Sequence, residues 1–474
     1  MRWYLRRSGG VVLILSCLVT WQVPPSASQH AGGGATGGPP PLLAQAALRT
    51  LDGVRALGHL EASIAAEERR ASDGPLTVSQ GATLVELLLM RGQFLGRMAA
   101  YERAEALAEQ LVRDAPTDGG AFLARARARA TFHRFPEALA DLTEAERLGF
   151  YSDHNPAVRA AIFQAVGRYT EALALRQQLT QARPNTYALG AEATVWAEQG
   201  GVDQAERLFA QAYQKYRDVS PFPVVWLHFQ QGLMWMWEGN LEQARELFES
   251  ACLRLPGYAA AQAHLALVEA ALGRHEQASA LLRRWMQEGD LARAHAGSEG
   301  TPTQSVTSQE TTSDHGAGGT AASGRFARAI ALLRPLAESS DDPEYAGQLA
   351  RLLTEGGQGE EARHWRDVAA TRYDELMVRH PEAFADHAAE FWLTVGGDLQ
   401  KGRLLAAKNL EIRQTPRAYE LMLRAAVATQ DTAVLCQVAE HLQASEQRGA
   451  RLRALAGWAL ASCRRLTRSS GGGE

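Results

Sequence analysis

Alanine recurs along this chain at a nearly constant interval. Ala104, Ala138, Ala172, Ala205, Ala244 and Ala278 are separated by 34, 34, 33, 39 and 34 residues, and after an interruption Ala329 and Ala362 resume the series with a spacing of 33. Their neighbours recur with them. Tyr101, Phe135, Tyr169, Val202, Leu241 and His275 lie three residues before, and Ala108, Leu142, Arg176, Phe209, Phe248 and Leu282 lie four after. A unit of this size cannot bury its own apolar face, so a period of this length implies copies stacked side by side.

The stretch from Val225 to Pro256 shows what one unit is. Gly232 is small where a first helix needs close approach, and Gly239-Asn240 breaks that helix. Leu241, Ala244, Phe248 and Ala251 then recur with the period of one buried helical face. Pro256 ends the unit, because proline cannot continue a helix. The pattern is that of two antiparallel helices joined by a turn.

The marker alanines, the large residue before them and the late prolines Pro116, Pro184 and Pro256 resemble the tetratricopeptide repeat family. The likeness covers roughly 85–290 clearly and 324–414 more loosely. It implies an all-α fold, an α-solenoid of helical hairpins wound into a right-handed superhelix. It also implies a concave surface lined by the first helix of each unit. For the hairpin starting at Val225 the family's register puts Trp226, Phe229, Leu233, Met236 and Trp237 on that surface. All five are large and apolar, and they share one helical stripe. One reading is an anchor for an apolar partner segment. The other is core, covered by the loop Arg217–Pro223 or by facing parts of the superhelix. The same register offers Arg97 and Arg127 in earlier units, and Ala260, Ala263, Leu267, Ala270 and Ala271 in a later one.

Composition suits packed helices. Aromatics are 7% of 474 residues, and a formal net charge of −4 does not point to a nucleic-acid binder. The N-terminus reads as a targeting segment. Arg2, Arg6 and Arg7 precede an apolar run of 11 residues, Val11 to Trp21, too short to span a bilayer. Small residues near Ser28 suit cleavage. Ile14-Leu15-Ser16-Cys17 also looks like a lipoprotein box, which would place a lipid on Cys17, and an uncleaved anchor is a further alternative. Removing the signal leaves Cys252, Cys436 and Cys463, an odd number. Cys436 and Cys463 could pair, and Cys252 reads as a small buried residue.

The expected organisation is a signal at 1–28, a flexible linker at 29–41, a repeat array at 42–290, a disordered low-complexity linker at 291–324, a second array with its cap at 325–466, and a frayed tail at 467–474. Leu42–Arg70 is expected to form a first helical pair.

No catalytic motif of the zinc-helix, phosphate-loop, nucleophile-elbow or paired-cysteine type is present. The polar stretch His380–His387, with Glu390, is the one cluster to weigh. His387 and Glu390 are three apart and share a helical face, as a metal-dependent hydrolase site would need. The plainer reading is a helix entry, with a histidine packed on Trp392. The expected function is an exported, non-enzymatic scaffold that binds a protein or peptide on its concave face, without a cofactor. A lipid-anchored envelope-assembly protein is the alternative with the same fold.

Overall fold

The computed structural model describes residues 49–274, 317–444 and 450–470. Among them there are helices and no strands. In chain order the helices are α1 (Gly53–Asp73), α2 (Val78–Leu95), α3 (Met98–Asp114), α4 (Gly119–Thr131), α5 (Phe135–Arg147), α6 (His154–Ala165), α7 (Tyr169–Ala182), α8 (Thr186–Glu198), α9 (Val202–Lys215), α10 (Pro221–Trp237) and α11 (Leu241–Arg254). A helical stretch at 259–274 is α12. Then come α13 (Ala317–Ser339), α14 (Pro343–Glu355), α15 (Gly359–Arg379), α16 (Pro381–Leu393), α17 (Leu399–Ile412), α18 (Pro416–Ala428), α19 (Thr432–Ala444) and α20 (Ala450–Ser470).

The fold is an all-α solenoid of tetratricopeptide-like hairpins, each helix packing on its neighbours in sequence. The repeat marker explains the hairpins. Ala104, Ala138, Ala172, Ala205, Ala244 and Ala329 have no exposed surface, and Ala362 has 4%. Each sits in the second helix where the first crosses it. At α10 and α11 the partner feature is Gly232, where an added Cβ would lie 2.6 Å from the Phe248 ring. Between the helices the chain reverses through a left-handed residue. Gly167, Gly200, Gly239 and Gly357 have φ of +88°, +79°, +79° and +75°, each five residues before its marker alanine. Gly397 does the same before Gly402, with φ +76°, and Gly402 itself packs on Leu393. Glycine takes that conformation without the penalty a Cβ brings.

Several sequence boundaries need correction. Of the helical pair expected at Leu42–Arg70, the described part holds one helix, α1, entered from Asp52, whose carboxylate caps it. Pro221 and Pro223 belong to α10, because proline is tolerated in a first helical turn. The linker expected at 291–324 is helical from Ala317 onward, and the tail is helical to Ser470. The signal segment with Cys17, the linker at 29–41 and the repeat marker Ala278 lie outside the described residues.

The larger correction concerns the interruption. Ala329, Ile330 and Leu333 of α13 share one core with Ala259, Ala263, Ala266 and Ala270 of α12. Arg325 and Arg328 pair with Glu269 at 2.9 and 3.1 Å, and Arg328 also with Glu249 of α11 at 2.6 Å. So α13 serves as the second helix of the hairpin that α12 begins. The two expected arrays are thus joined through α12 and α13 into one continuous stack.

That stack closes on itself. The residues entering α1 lie against the end of α11, where Gly53 meets the Arg254 carbonyl, and against the α9–α10 loop, where Leu51 N–H donates to Val219 O at 2.6 Å. The α2–α3 turn lies against the α13–α14 loop. There the Asp341 carboxylate accepts from Met98 and Ala99 N–H at 2.7 and 2.8 Å, and the Ser340 hydroxyl donates to Gly96 O. The α4–α5 turn meets the start of α16, with Phe132 stacked on His380 at 3.9 Å and His133 Nδ1 3.0 Å from Glu382 O. The α6–α7 turn meets the start of α18, with Gln414 N–H donating to Val166 O at 3.2 Å. Each contact is one hairpin further along on both sides, so successive coils of the superhelix stack rung by rung.

Candidate functional site

The stacking decides the fate of the apolar stripe. Trp226, Phe229, Leu233 and Met236 are 2, 1, 2 and 4% exposed. Trp226 packs over Gly190 of α8, and Phe229 lies 5.7, 5.3 and 5.0 Å from the rings of Phe248, Tyr258 and His264. Phe94 of α2 reaches across from the neighbouring coil to Phe222 and Tyr258, at 4.8 and 4.9 Å. Trp237 is half-buried, with the Arg451 guanidinium of α20 4.7 Å above its ring. The stripe expected to anchor a partner is therefore internal core, covered by adjacent helices and the facing coil. Of the other lining residues, Arg97 donates to Ser339 O, Arg127 is buried 3.6 Å from Glu86, and Ala260, Ala263 and Ala270 are buried in packing.

The polar stretch around His387 behaves differently. His380 and His387 do not converge: His380 faces Phe132 and Glu102, while His387 points to α14. No group of three His, Cys, Asp or Glu side chains among the described residues could hold a metal ion. Lys401 sits 3.8 Å over the Trp392 ring. His387 Nδ1 is 3.2 Å from Glu344, and its other ring nitrogen is 3.6 Å from Asp386. Burial alone would lower the His387 pKa, but the carboxylates of Asp386 and Glu344 outweigh it and raise it to about 9. The imidazole is thus held as a cation. Burial would raise the pKa of Asp386, but His387, Arg413 and Arg417 hold it far below the usual carboxylate range. Arg413 contacts Asp386 at 3.1 Å and also donates to Ala165 O of α6, tying the cluster to the neighbouring coil. On the same helix, Glu390 takes both terminal nitrogens of Arg424 at 2.8 and 3.0 Å.

These groups border a small half-open pocket of about 40 Å3 between α12, α14, α16 and α18. These are four consecutive first helices, so the pocket belongs to the inner face of the superhelix. Gly347, Tyr373 and Phe391 supply apolar lining. Sequence reasoning found His387, Glu390 and Leu267 but missed Glu344, Gln348, Arg351 and Arg417. Glu344, Gln348 and Arg351 recur at i, i+4 and i+7 along α14, a polar stripe. That stripe was visible, but nothing in the sequence placed it beside α16.

The chain thus belongs structurally to the class of helical-repeat solenoids whose inner face carries a polar pocket. No family model matches the sequence, and no curated protein matches it. Among solved structures, the human IFIT1 dimer with m7Gppp-AAAA is similar at 14% identity and a TM-score of 0.39, covering 88% of this chain and 78% of that one. The Naa15/Naa10 complex bound to HypK-THB is similar at 14% identity and a TM-score of 0.24, covering 85% and 64%. Similarities of this size carry no argument about function.

Proposed function

We propose that this protein is an exported, non-enzymatic scaffold that docks another protein on the outer, second-helix face of its array. The inner apolar stripe is consumed by the chain's own packing, so it cannot serve a partner. The observation that carries the reading is a seam on the outer face. Val378 of α15 and Leu404 of α17 are 84% and 63% exposed on neighbouring second helices. Lys401 and Asp374 join those helices at 2.6 Å, one turn before each apolar residue. Exposed apolar side chains with a charged rim suit an apolar segment of a partner.

Export is supported by the pairing of Cys436 with Cys463, since disulfides persist in oxidising compartments. No helix among the described residues is long and apolar enough to cross a membrane. Soluble export and lipid anchoring at Cys17 remain distinct forms of the same scaffold. Mass spectrometry of the mature N-terminus separates them: a modified Cys17 means an anchor, and a start at Gln29 means soluble export.

The docking surface is tested by affinity capture from the protein's own cell envelope, comparing the native chain with a Val378→Asp/Leu404→Asp variant. The expected result is loss of a specific partner with the helical circular-dichroism signal unchanged. A folded double variant that retains every partner removes this surface.

A further inference from the structure

We propose that the inner-face pocket between α12, α14, α16 and α18 binds a small carboxylic acid that carries a hydroxyl or amino group beside its carboxylate. The inference goes beyond the scaffold reading and uses a different surface. Two buried polar atoms on residues lining this pocket, Arg351 Nε and Gln348 Oε1, have no hydrogen-bond partner among the described residues, and a third, His387 Nε2, has only the Asp386 carboxylate at 3.6 Å, beyond hydrogen-bond reach. Buried polar groups are almost always satisfied, so three together at one opening need an explanation. Two are donors on cationic groups and one is an acceptor. The acceptor is fixed as such, because the Gln348 amide nitrogen donates to Glu344 at 3.0 Å.

Charge points the same way. Of the charged side chains that line the pocket, Arg351, Arg417 and His387 are cationic and Glu344 and Glu390 are anionic, three against two. The nearest carboxylate to Arg351 Nε is Glu355, 3.9 Å away and held by Arg274 at 2.7 Å. An anion is therefore favoured, with Arg351 and His387 donating to its carboxylate. Gln348 then calls for a donor on the ligand, which a hydroxyl or amino group supplies. Gly347 and the aromatic rings of Tyr373 and Phe391 form the apolar side of the pocket, for the carbon atoms of the ligand.

The test is calorimetric titration of the full mature chain with L-malate, L-aspartate, succinate and inorganic phosphate. Malate or aspartate is expected to bind, with succinate about tenfold weaker for want of the donor, as one buried hydrogen bond implies. Arg351→Gln should weaken binding about tenfold or more, and Gln348→Leu should erase the preference over succinate. Leu404→Asp, on the outer face, should leave binding unchanged, which separates this site from partner docking. Binding of none of the four, phosphate binding as tightly as malate, or undiminished affinity in Arg351→Gln would overturn the proposal. Should Arg351→Gln lose its helical signal, Gln348→Leu decides alone: an unchanged preference for malate over succinate overturns it.

Discussion

His387 shows what a single residue in this chain is asked to do. It is a buried cation between two carboxylates, Asp386 and Glu344, with Arg417 opposing it. Its pKa stands above the ordinary 6.5 at about 9, so its stabilising contribution is complete below pH 6.5 and drains away as pH rises through 9. The shift corresponds to on the order of 3 kcal/mol. Urea titrations of the native chain and His387→Gln, run from pH 6 to pH 9.5, should show stability falling in the former more than in the latter. Parallel curves would deny His387 this role. Trp226 makes the contrasting case. Its side chain is 2% exposed, and Trp226→Ala should cost about 3–5 kcal/mol in denaturant unfolding, as deletion of a buried aromatic does. A small loss would mean the stripe is not core. The sequence showed both residues as unusual, but not why. Stripe and core look identical from spacing alone, because what separates them is whether other helices, such as α8 over Trp226, arrive to cover the stripe.

At the level of helices and turns, most of the architecture was legible. The marker alanines, the left-handed glycines and the prolines at helix starts are local signals, and each is tied to one backbone requirement. The pattern breaks at His133 and Gln430, which occupy the left-handed position with φ 58° and 57°, and His133 is buried against Glu382 O of the next coil. The contact between coils can be isolated by a pair of substitutions. Gly167 and Gly239 have similar positive φ, but an added Cβ at Gly167 would run into the backbone of Gln414, while at Gly239 it meets nothing within 4 Å. Gly239→Ala should cost about 1–2 kcal/mol for the backbone conformation alone. Gly167→Ala should cost clearly more in the same thermal melts, and equal costs would mean the coils do not press together there. Asp341→Ala, which uncaps Met98 and Ala99, should cost about 1–2 kcal/mol. The placement of α13 was not legible. Ala329 lies 85 residues after Ala244 and so falls outside the repeat spacing, which gives no sign that its helix packs on α12.

Across the whole molecule, the stack is stapled at its C-terminal end and folded back on itself along its length. Cys436 joins α19 to Cys463 in α20 over a separation of 27 residues. Reduction should lower stability by about 3 kcal/mol on a loop-entropy basis, and amide exchange should rise first in α19 and α20. A melt insensitive to reductant would show that the cap holds without the bond. The rung-by-rung contacts have a temporal consequence as well. The first amides of α3 are capped by a carboxylate encoded 243 residues later, and the turns of the early hairpins wait for the late ones in the same way. A growing or refolding chain therefore cannot complete its opening hairpins when they emerge. Their final seating is postponed until the far end of the polypeptide exists, which makes a chain of locally paired helices search over long distances and slows it accordingly.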